Sequence, residues 1–560
     1  MSVEKLITDH IDIWSSALQT RSTAGRGSNG KIDLYGIKKL RELILELAVR
    51  GKLVPQDPND EPASELLKRI AAEKAELVKQ GKIKKQKPLP EISEEEKPFE
   101  LPVGWEWVRF GNIYEMEYGD NLPQDKRTNT GEYNVYGSNG VVGTHNEPCV
   151  NSPCIVIGRK GSAGALNLSL NAGCWVTDVA YSTIPPVAMN LDFVYLQFHT
   201  LGLDLLGKGI KPGLNRRDAY ALTIAIPPQN EQKNIVSKVK ELMSFCDQLE
   251  QQSLTSLDAH QQLVETLLAT LIDSQNAEQL AENWARISQH FDMLFTTEAS
   301  IDALKQTILQ LAVMGKLVPQ DPNDEPASEL LKRIEQEKAQ LVKEGKIKKQ
   351  KPLPPVSDEE KPFELPLGWE WCRLNSLFSI ITDGDHQAPP KADSGVPFLV
   401  IGNLNKGDVS FENSKFVPAK YFDNLDWSKK PIKNDMLYTV TGSYGIPVIV
   451  STGKAFCVQR HVAILKSCLN TPTLYLKSVF LTRYAYDLAT NIATGIAQKT
   501  VPLTGLREMY IPLPPENEIA RIIEKLQILD VLFSNLKSRL QSAQQTQLHL
   551  ADALTDAALN

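Results

Sequence analysis

The run GKLVPQDPNDEPASELLKRI occupies residues 51–70, and the same twenty residues occur again, unchanged, at 315–334. The likeness extends outward from both copies. AAEKAELVKQGKIKKQKPLP (71–90) differs from EQEKAQLVKEGKIKKQKPLP (335–354) at four positions, and EKPFELPVGWEWVRF (96–110) answers EKPFELPLGWEWCRL (360–374). Upstream, LRELILELAV (40–49) pairs with LKQTILQLAV (304–313). After a long stretch without matches, IAIPPQNEQKNIV (224–236) pairs with IPLPPENEIARII (511–523). The period is far beyond the ~20–50 residues of a solenoid repeat, so a whole module has been duplicated. Each module has a helical opening, a near-identical segment, a divergent body, a proline-marked exit and a long helix. The repeated parts are expected to do one job twice, and the divergent bodies two different jobs.

Within the repeated segment, Leu40, Ile44, Leu47 and Ala48 recur at three- and four-residue steps, which is an amphipathic helix stopped by Gly51. PQDPNDEP is a turn run, with Pro62 fitting the first turn of a helix over about 62–80 that carries Leu66, Leu67, Ile70 and Leu77. Lysines at 82, 84, 85 and 87 follow Gly81, and Pro88 ends the segment. A lysine run here reads either as a solvated helix exit complementing the dipole or as a contact for phosphate or an acidic partner.

Each body leads into a long helical stretch. In the second, Ile519, Leu526, Phe533, Leu540, Gln547 and Leu554 lie seven apart, with Ile522, Leu529, Leu536, Ala543 and Leu550 at the other heptad position. The first stretch begins alike with Ile235, Val239, Leu242, Cys246 and Leu249. It weakens at Ser253 and Ser256 and resumes one residue out of phase through Leu257, Val264, Leu267 and Leu271. Neither helix can bury its seam alone. An antiparallel coiled coil between the two is expected, a rod of roughly 60 Å for about 40 residues. The alternative is two helices packed separately on their own domains.

The bodies change character. CIVIG (154–158), CWVTDVAYSTI (174–184), PFLVIG (397–402), MLYTVTG (436–442) and IPVIV (446–450) read as short strands. Between them lie polar glycine loops: YGSNGVVGTHN (136–146), RKGSAG (159–164), DGDHQAPPK (383–391), TGSYG (441–445) and VQRHV (458–462). Such loops suit a small α+β domain that reads DNA. The second body supplies Gln387, Lys391, Ser443, Tyr444, Gln459, Arg460, His461, Gln498 and Lys499, of the types that bond base edges and phosphates. It holds fifteen Lys/Arg against eleven Asp/Glu. The first body holds nine against eleven, but its charge is grouped at Arg159–Lys160, Lys208/Lys211 and Arg216–Arg217, beside Asn215 and the Ser138–Asn139 loop.

Composition excludes several classes. At 560 residues the chain exceeds one core, and 42% apolar with 23% charged residues is ordinary for a soluble protein. No stretch approaches the ~18 unbroken apolar residues of a membrane span, and the opening MSVEKLITDHIDIW lacks a signal-peptide pattern. Seven scattered cysteines without CxxC or zinc spacing read as reduced thiols of a cytoplasmic protein, with no metal. A net charge of −7 argues mildly against a basic coat for gripping nucleic acid, although distribution matters more than the sum. GRGSNGK (25–31) imitates a phosphate loop, but Ile32 replaces the Ser/Thr that would hold magnesium and no apolar strand precedes it. It reads as a linker. No DPPY- or NPPY-like tetrapeptide, adenosyl-cofactor glycine loop, nucleophile elbow or carboxylate pair is present, so no catalytic residue is assigned.

Taken together, the tandem layout, LPVGWEWVRFGNI and LPLGWEWCRLNSL, YGSNGVVG with IVIGRKGSAG, TDGDHQAPP with TGSYG, and the exits IPPQNEQKNIV and LPPENEIARII resemble the specificity subunit of a type I restriction–modification enzyme. The resemblance covers nearly the whole chain. It implies an α+β fold with two small target recognition domains separated by two long antiparallel coiled-coil helices, in a pseudo-twofold tandem repeat. The divisions are 1–104 (partner docking), 105–228 (first recognition domain), 229–368 (long helix and second docking segment), 369–515 (second recognition domain) and 516–560 (closing helix). It further implies that each recognition domain reads half of a bipartite double-stranded DNA site. Two methyltransferase subunits would bind the repeated segments, two restriction subunits would join for cleavage, and S-adenosylmethionine, ATP and magnesium would belong to those partners. Leu66, Leu67, Ile70, Leu330, Leu331 and Ile334 are the docking candidates. A methylation-only complex, a stand-alone tandem DNA-binding regulator and a divergent nuclease or methylase are the alternatives.

Overall fold

The computed structural model describes residues 3–21, 31–81, 83, 85–207, 213–386, 389–496 and 498–560. Residues 25–30 of the phosphate-loop look-alike, Lys82, Lys84, Lys208, Lys211 and Gln387 lie outside the described residues. The described chain forms two units: residues 3–20, 32–255 and 544–560 make the first, and 256–543 with 21 and 31 make the second.

The duplicated segment folds the same way in each unit. Helix Tyr35–Val49 stops at Gly51 (φ +68°), and helix Glu298–Val313 stops at Gly315 (φ +69°). A Cβ at either glycine would fall 2.5 or 2.4 Å from the ring of Pro102 or Pro366, so only glycine fits both the backbone and the space. Helices Ala63–Lys79 and Ala327–Lys343 follow, and Pro62 and Pro326 stand just ahead of them in extended backbone (φ −63°, ψ 151°), so the expected first-turn proline falls one position before the helix.

The bodies share an architecture that their sequences do not share. Each is clasped by an antiparallel strand pair, Glu106–Arg109 with Thr223–Ile226 and Glu370–Arg373 with Tyr510–Leu513. Inside the first body, an antiparallel sheet runs in the order Glu117–Tyr118, Ala180–Thr183, Cys154–Gly158, Leu166–Ser169. A second sheet runs Val141–His145, Tyr133–Tyr136, Trp175–Val176, the last pairing being parallel. The second body repeats both orders, with Phe378–Asp383, Val462–Ser467, Met436–Thr439, Pro447–Ile449 in one sheet. Lys415–Val417, Val396–Leu399 and Cys457–Val458 make the other, again with a parallel last pair. The central strands Cys154–Gly158 and Met436–Thr439 are buried at every residue, which explains their unbroken apolar runs. One expected loop is partly strand: in YGSNGVVGTHN, residues Val141–His145 pair back on Tyr133–Tyr136 as a hairpin.

The two long helices are Gln229–Ile272 and Glu516–Leu559. Residues 229–255 of the first and 544–559 of the second belong to one unit, and 256–272 with 516–543 to the other, so the helices run in opposite senses. In the second unit Val264, Leu268 and Leu271 share a core with Phe533, flanked by Leu529, Leu536 and Leu540. In the first, Arg41 bonds Asp247 and Glu250, the Tyr35 hydroxyl donates to Asp552 (2.7 Å), and Lys52 donates to the carbonyl of Leu559 (2.6 Å).

The inward stripe of the first helix runs 242, 246, 249, 253, 257, 260, 264, with two consecutive four-residue steps at 249–253–257. The second helix makes the same double step at 536–540–544 and continues through 547 and 551. Each is a stutter, an extra four residues that re-phases a heptad seam, and each falls where its helix passes from one unit to the other. The shift in the first helix is the one the sequence showed. The unbroken heptads expected of the second are corrected: Ala543 and Leu550 are exposed and Ala551 is buried instead. Among the described residues no helix is long and apolar enough to cross a membrane.

Candidate nucleic-acid interface

In the first body the strand ends bring several expected residues together. Asn139 stands exposed at the Tyr133–His145 hairpin turn beside half-buried Ser138. The carbonyl of Ser138 lies against Gly158, where a Cβ would come within 2.4 Å of it, so this turn rests on the Arg159–Lys160 turn. Lys160 bridges Gly213, and Leu214 donates to the Arg159 carbonyl, which draws the Asn215–Arg216 turn alongside.

Arg159 anchors to the Asp178 carbonyl and lies over the rings of Tyr118 (5.1 Å) and Tyr181 (5.9 Å), while Arg216 covers Tyr118 from 4.8 Å. Tyr118 is 53% exposed between the two guanidinium groups. Sequence reasoning missed it, since residues 118, 159 and 216 meet only through the sheet. Each cation–π contact contributes roughly 0.5–1 kcal/mol at an exposed site and helps fix the two guanidinium groups beside the ring. Asn215 has a local duty, because its side chain caps helix Arg216–Tyr220 by accepting from the Arg217 amide.

The second body places its candidates at two spots. The Thr441–Tyr444 turn bridges Thr500, and Gly442 donates to the Lys499 carbonyl and lies against the Gln498 amide, so Ser443, Gln498 and Lys499 share one exposed rim. Tyr444 is corrected: it is buried, its ring stacks on Tyr486 at 5.6 Å and its hydroxyl meets Thr490, so it supports the turn from beneath. The other spot is a cavity of about 430 Å³ walled by Lys391, Gln459 and Arg460 together with Phe398, Lys415 and Phe416. Lys415 and Phe416 carried no signal of their own in the sequence. His461 sits behind Arg460, which donates from Nε to its Nε2 at 3.4 Å. Burial, and then the Arg460 charge, hold the imidazole below its ordinary pKa, so it is neutral and accepting at neutral pH.

The repeated segment joins each body to its long helix through one buried carboxylate. Glu231 accepts from Trp105 Nε1 (2.9 Å) and Gln56 Nε2 (3.2 Å), and Glu518 accepts from Trp369 (2.9 Å) and Gln320 (3.0 Å). Burial raises both carboxyls, against the hydrogen bonds that lower them. Arg109 with Glu96 is likewise matched by Arg373 with Glu360, and Lys74 on the Gly111 carbonyl by Lys338 on that of Asn375.

Four of the six docking candidates need correction. Leu66, Ile70, Leu330 and Ile334 are buried, and in the second unit Leu330 and Ile334 join the core of Trp369, Leu374 and Leu377. Their i, i+4 spacing marks the face turned to the chain's own core. Leu67 and Leu331 are half-buried beside it. The segment exposes other apolar side chains at matched positions, Val103 (96% exposed) and Leu367 (93%). Among the described residues no His/Cys/Asp/Glu group could hold a metal, and Cys154 and Cys174 meet as free thiols at 3.7 Å.

A family model for the type I restriction modification DNA specificity domain matches residues 102–259. The chain is 50% identical over 603 aligned residues to the type I restriction enzyme EcoAI specificity subunit of Escherichia coli, and 49% identical over 605 to the EcoEI specificity subunit of the same organism. Both alignments span 100% of this chain and of the relative. Among solved structures, a chain from a study of complex assembly and conformational transition of the type I R-M system is 16% identical. It covers 83% of this chain and 99% of its own, with a TM-score of 0.44.

Proposed function

The chain belongs to the specificity subunits of type I restriction enzymes, and on that premise we propose that its bodies, 105–228 and 369–515, each read one half of a bipartite double-stranded DNA site. One observation carries this: two bodies with the same strand order present different side chains at corresponding turns, while the segments that carry them are nearly identical. A scaffold kept twice with its exposed tips changed is what two independent specificities require.

The reading side chains act in the major groove. Arg159, Lys160 and Arg216 offer donors to guanine edges and phosphates, Asn139 and Gln459 can bond adenine bidentately, and Arg460, Lys391 and Lys499 add phosphate contacts. With a net charge of −7, the chain supplies specificity more than grip. Adenine methylation and ATP-dependent cleavage are assigned to two methyltransferase and two restriction subunits, which bring S-adenosylmethionine, ATP and magnesium, in the cytoplasm. The repeated segments 40–90 and 304–354 are the handles for the methyltransferases. Methylome sequencing of a host expressing this chain with its methyltransferase tests the reading. The expected result is one asymmetric two-part motif with a fixed gap, and a contiguous motif, or none, overturns it.

A further inference from the structure

In the second unit, helix Ala327–Lys343 and the chain that follows it enclose a groove of about 580 Å³. Its floor is apolar, made by Leu331, Ala339, Val342, Ile347 and Leu353. Its walls carry Lys338, Lys343, Lys348, Lys349 and Lys351 against one carboxylate, Glu335. Lys338 is committed to the Asn375 carbonyl, whereas among the described residues Lys343, Lys348, Lys349 and Lys351 make no ion pair. Four like charges beside an apolar floor are an unfavourable surface for a monomer to display without a use for it.

The two copies of the segment strengthen the point. All four differences between 71–90 and 335–354 fall on exposed positions of the helix or its C-cap, at 71, 72, 76 and 80 and their counterparts. The next ten residues, GKIKKQKPLP, are unchanged, although in the second copy most of them are exposed and only Ile347 is buried. Core packing does not demand those lysines, so a shared external contact is the remaining reason to keep them.

Resting on the reading above, we infer that this groove seats an acidic amphipathic segment of one methyltransferase subunit. The segment's apolar side chains cover the floor, and its carboxylates meet the lysines. Charge complementarity selects an acidic partner. The apolar floor selects protein over DNA, because a phosphate backbone would leave that floor wet.

The test uses the full chain carrying K343E, K348E, K349E and K351E, mixed with the methyltransferase subunit and read by native mass spectrometry. These side chains are on the surface, and circular dichroism with thermal unfolding verifies that the fold is kept. The wild type should take two methyltransferase copies. The variant should take one at the same concentration, with at least a 30-fold loss at the altered site. Binding at the altered site should weaken with added salt less steeply than binding at the same site of the wild type. A variant that still takes two copies with unchanged affinity overturns the inference while leaving the proposed function standing. A variant that keeps both partners while its complex loses DNA affinity also overturns it, and makes the groove a phosphate contact. A wild-type chain that takes none overturns the proposed function and the groove's partner with it.

Discussion

In the first body two arginines close over the exposed ring of Tyr118, whereas the second body opens a cavity lined by Phe398 and Phe416 beneath Gln459 and Arg460. The frames around these sites correspond strand for strand. Asp120 bridges Thr177 in one and Asp385 bridges Gln459 in the other, both in parallel sense, and the Lys160–Gly213 bridge has its counterpart in Thr441–Thr500. Backbone pairing is indifferent to what the turns carry, so turns can be rewritten while the sheets persist. The repeated segment is the opposite case. There a side chain is the connection, as with Trp105 on Glu231 and Trp369 on Glu518, and side chains that make structural bonds cannot drift.

This contrast can be broken in several ways. The largest effect is expected from replacing 105–228 with another such body. The first half of the methylated motif should change completely and the second stay as it was, read by methylome sequencing; movement in both halves would mean that the bodies are not independent. Next, Glu231→Ala and Glu518→Ala each strand a buried indole N–H and an amide. Each should cost about 2–3 kcal/mol in urea unfolding. A marked difference between the two variants would undo the equivalence of the segments.

Smaller and more local, Arg159→Ala and Arg460→Ala should each weaken binding of the assembled complex by roughly tenfold. In mobility shifts on probes altered in one half-site, each variant should have lost discrimination at a single half. The smallest effect concerns Glu360, which the Arg373 hydrogen bond, then the Ser357 amide, lower from 4.5 to about 2. A depressed carboxyl adds stability above its unfolded pKa and loses it as pH falls from 4.5 toward about 2. Glu360→Gln should therefore cost about 0.5–1 kcal/mol at pH 7, allowing for its partial exposure, and approach nothing near pH 2, followed by thermal unfolding at both.

Much of this is legible in the sequence. The duplication is plain text, the buried strands announce themselves as CIVIG and MLYTV, and the loss of phase at Ser253 is visible because serine interrupts an apolar stripe. The matching shift near residue 540 was hidden, since Ala543 with Leu550 and Ala551 offer an apolar residue in either phase. Leu66, Ile70, Leu330 and Ile334 misled for a related reason: an apolar helix stripe shows that something is covered and does not say by what. Tyr118 gave no signal because its partners are 41 and 98 residues away, at 159 and 216.

The bonds from Tyr35 to Asp552 and from Lys52 to Leu559 have a consequence for biosynthesis. The part of the molecule translated first stays unfinished until residues near 550 have left the ribosome, while 256–543 already holds all of its own pieces. A released chain that ends at residue 543 should therefore protect 256–543 from protease and leave helix Tyr35–Val49 open to cleavage.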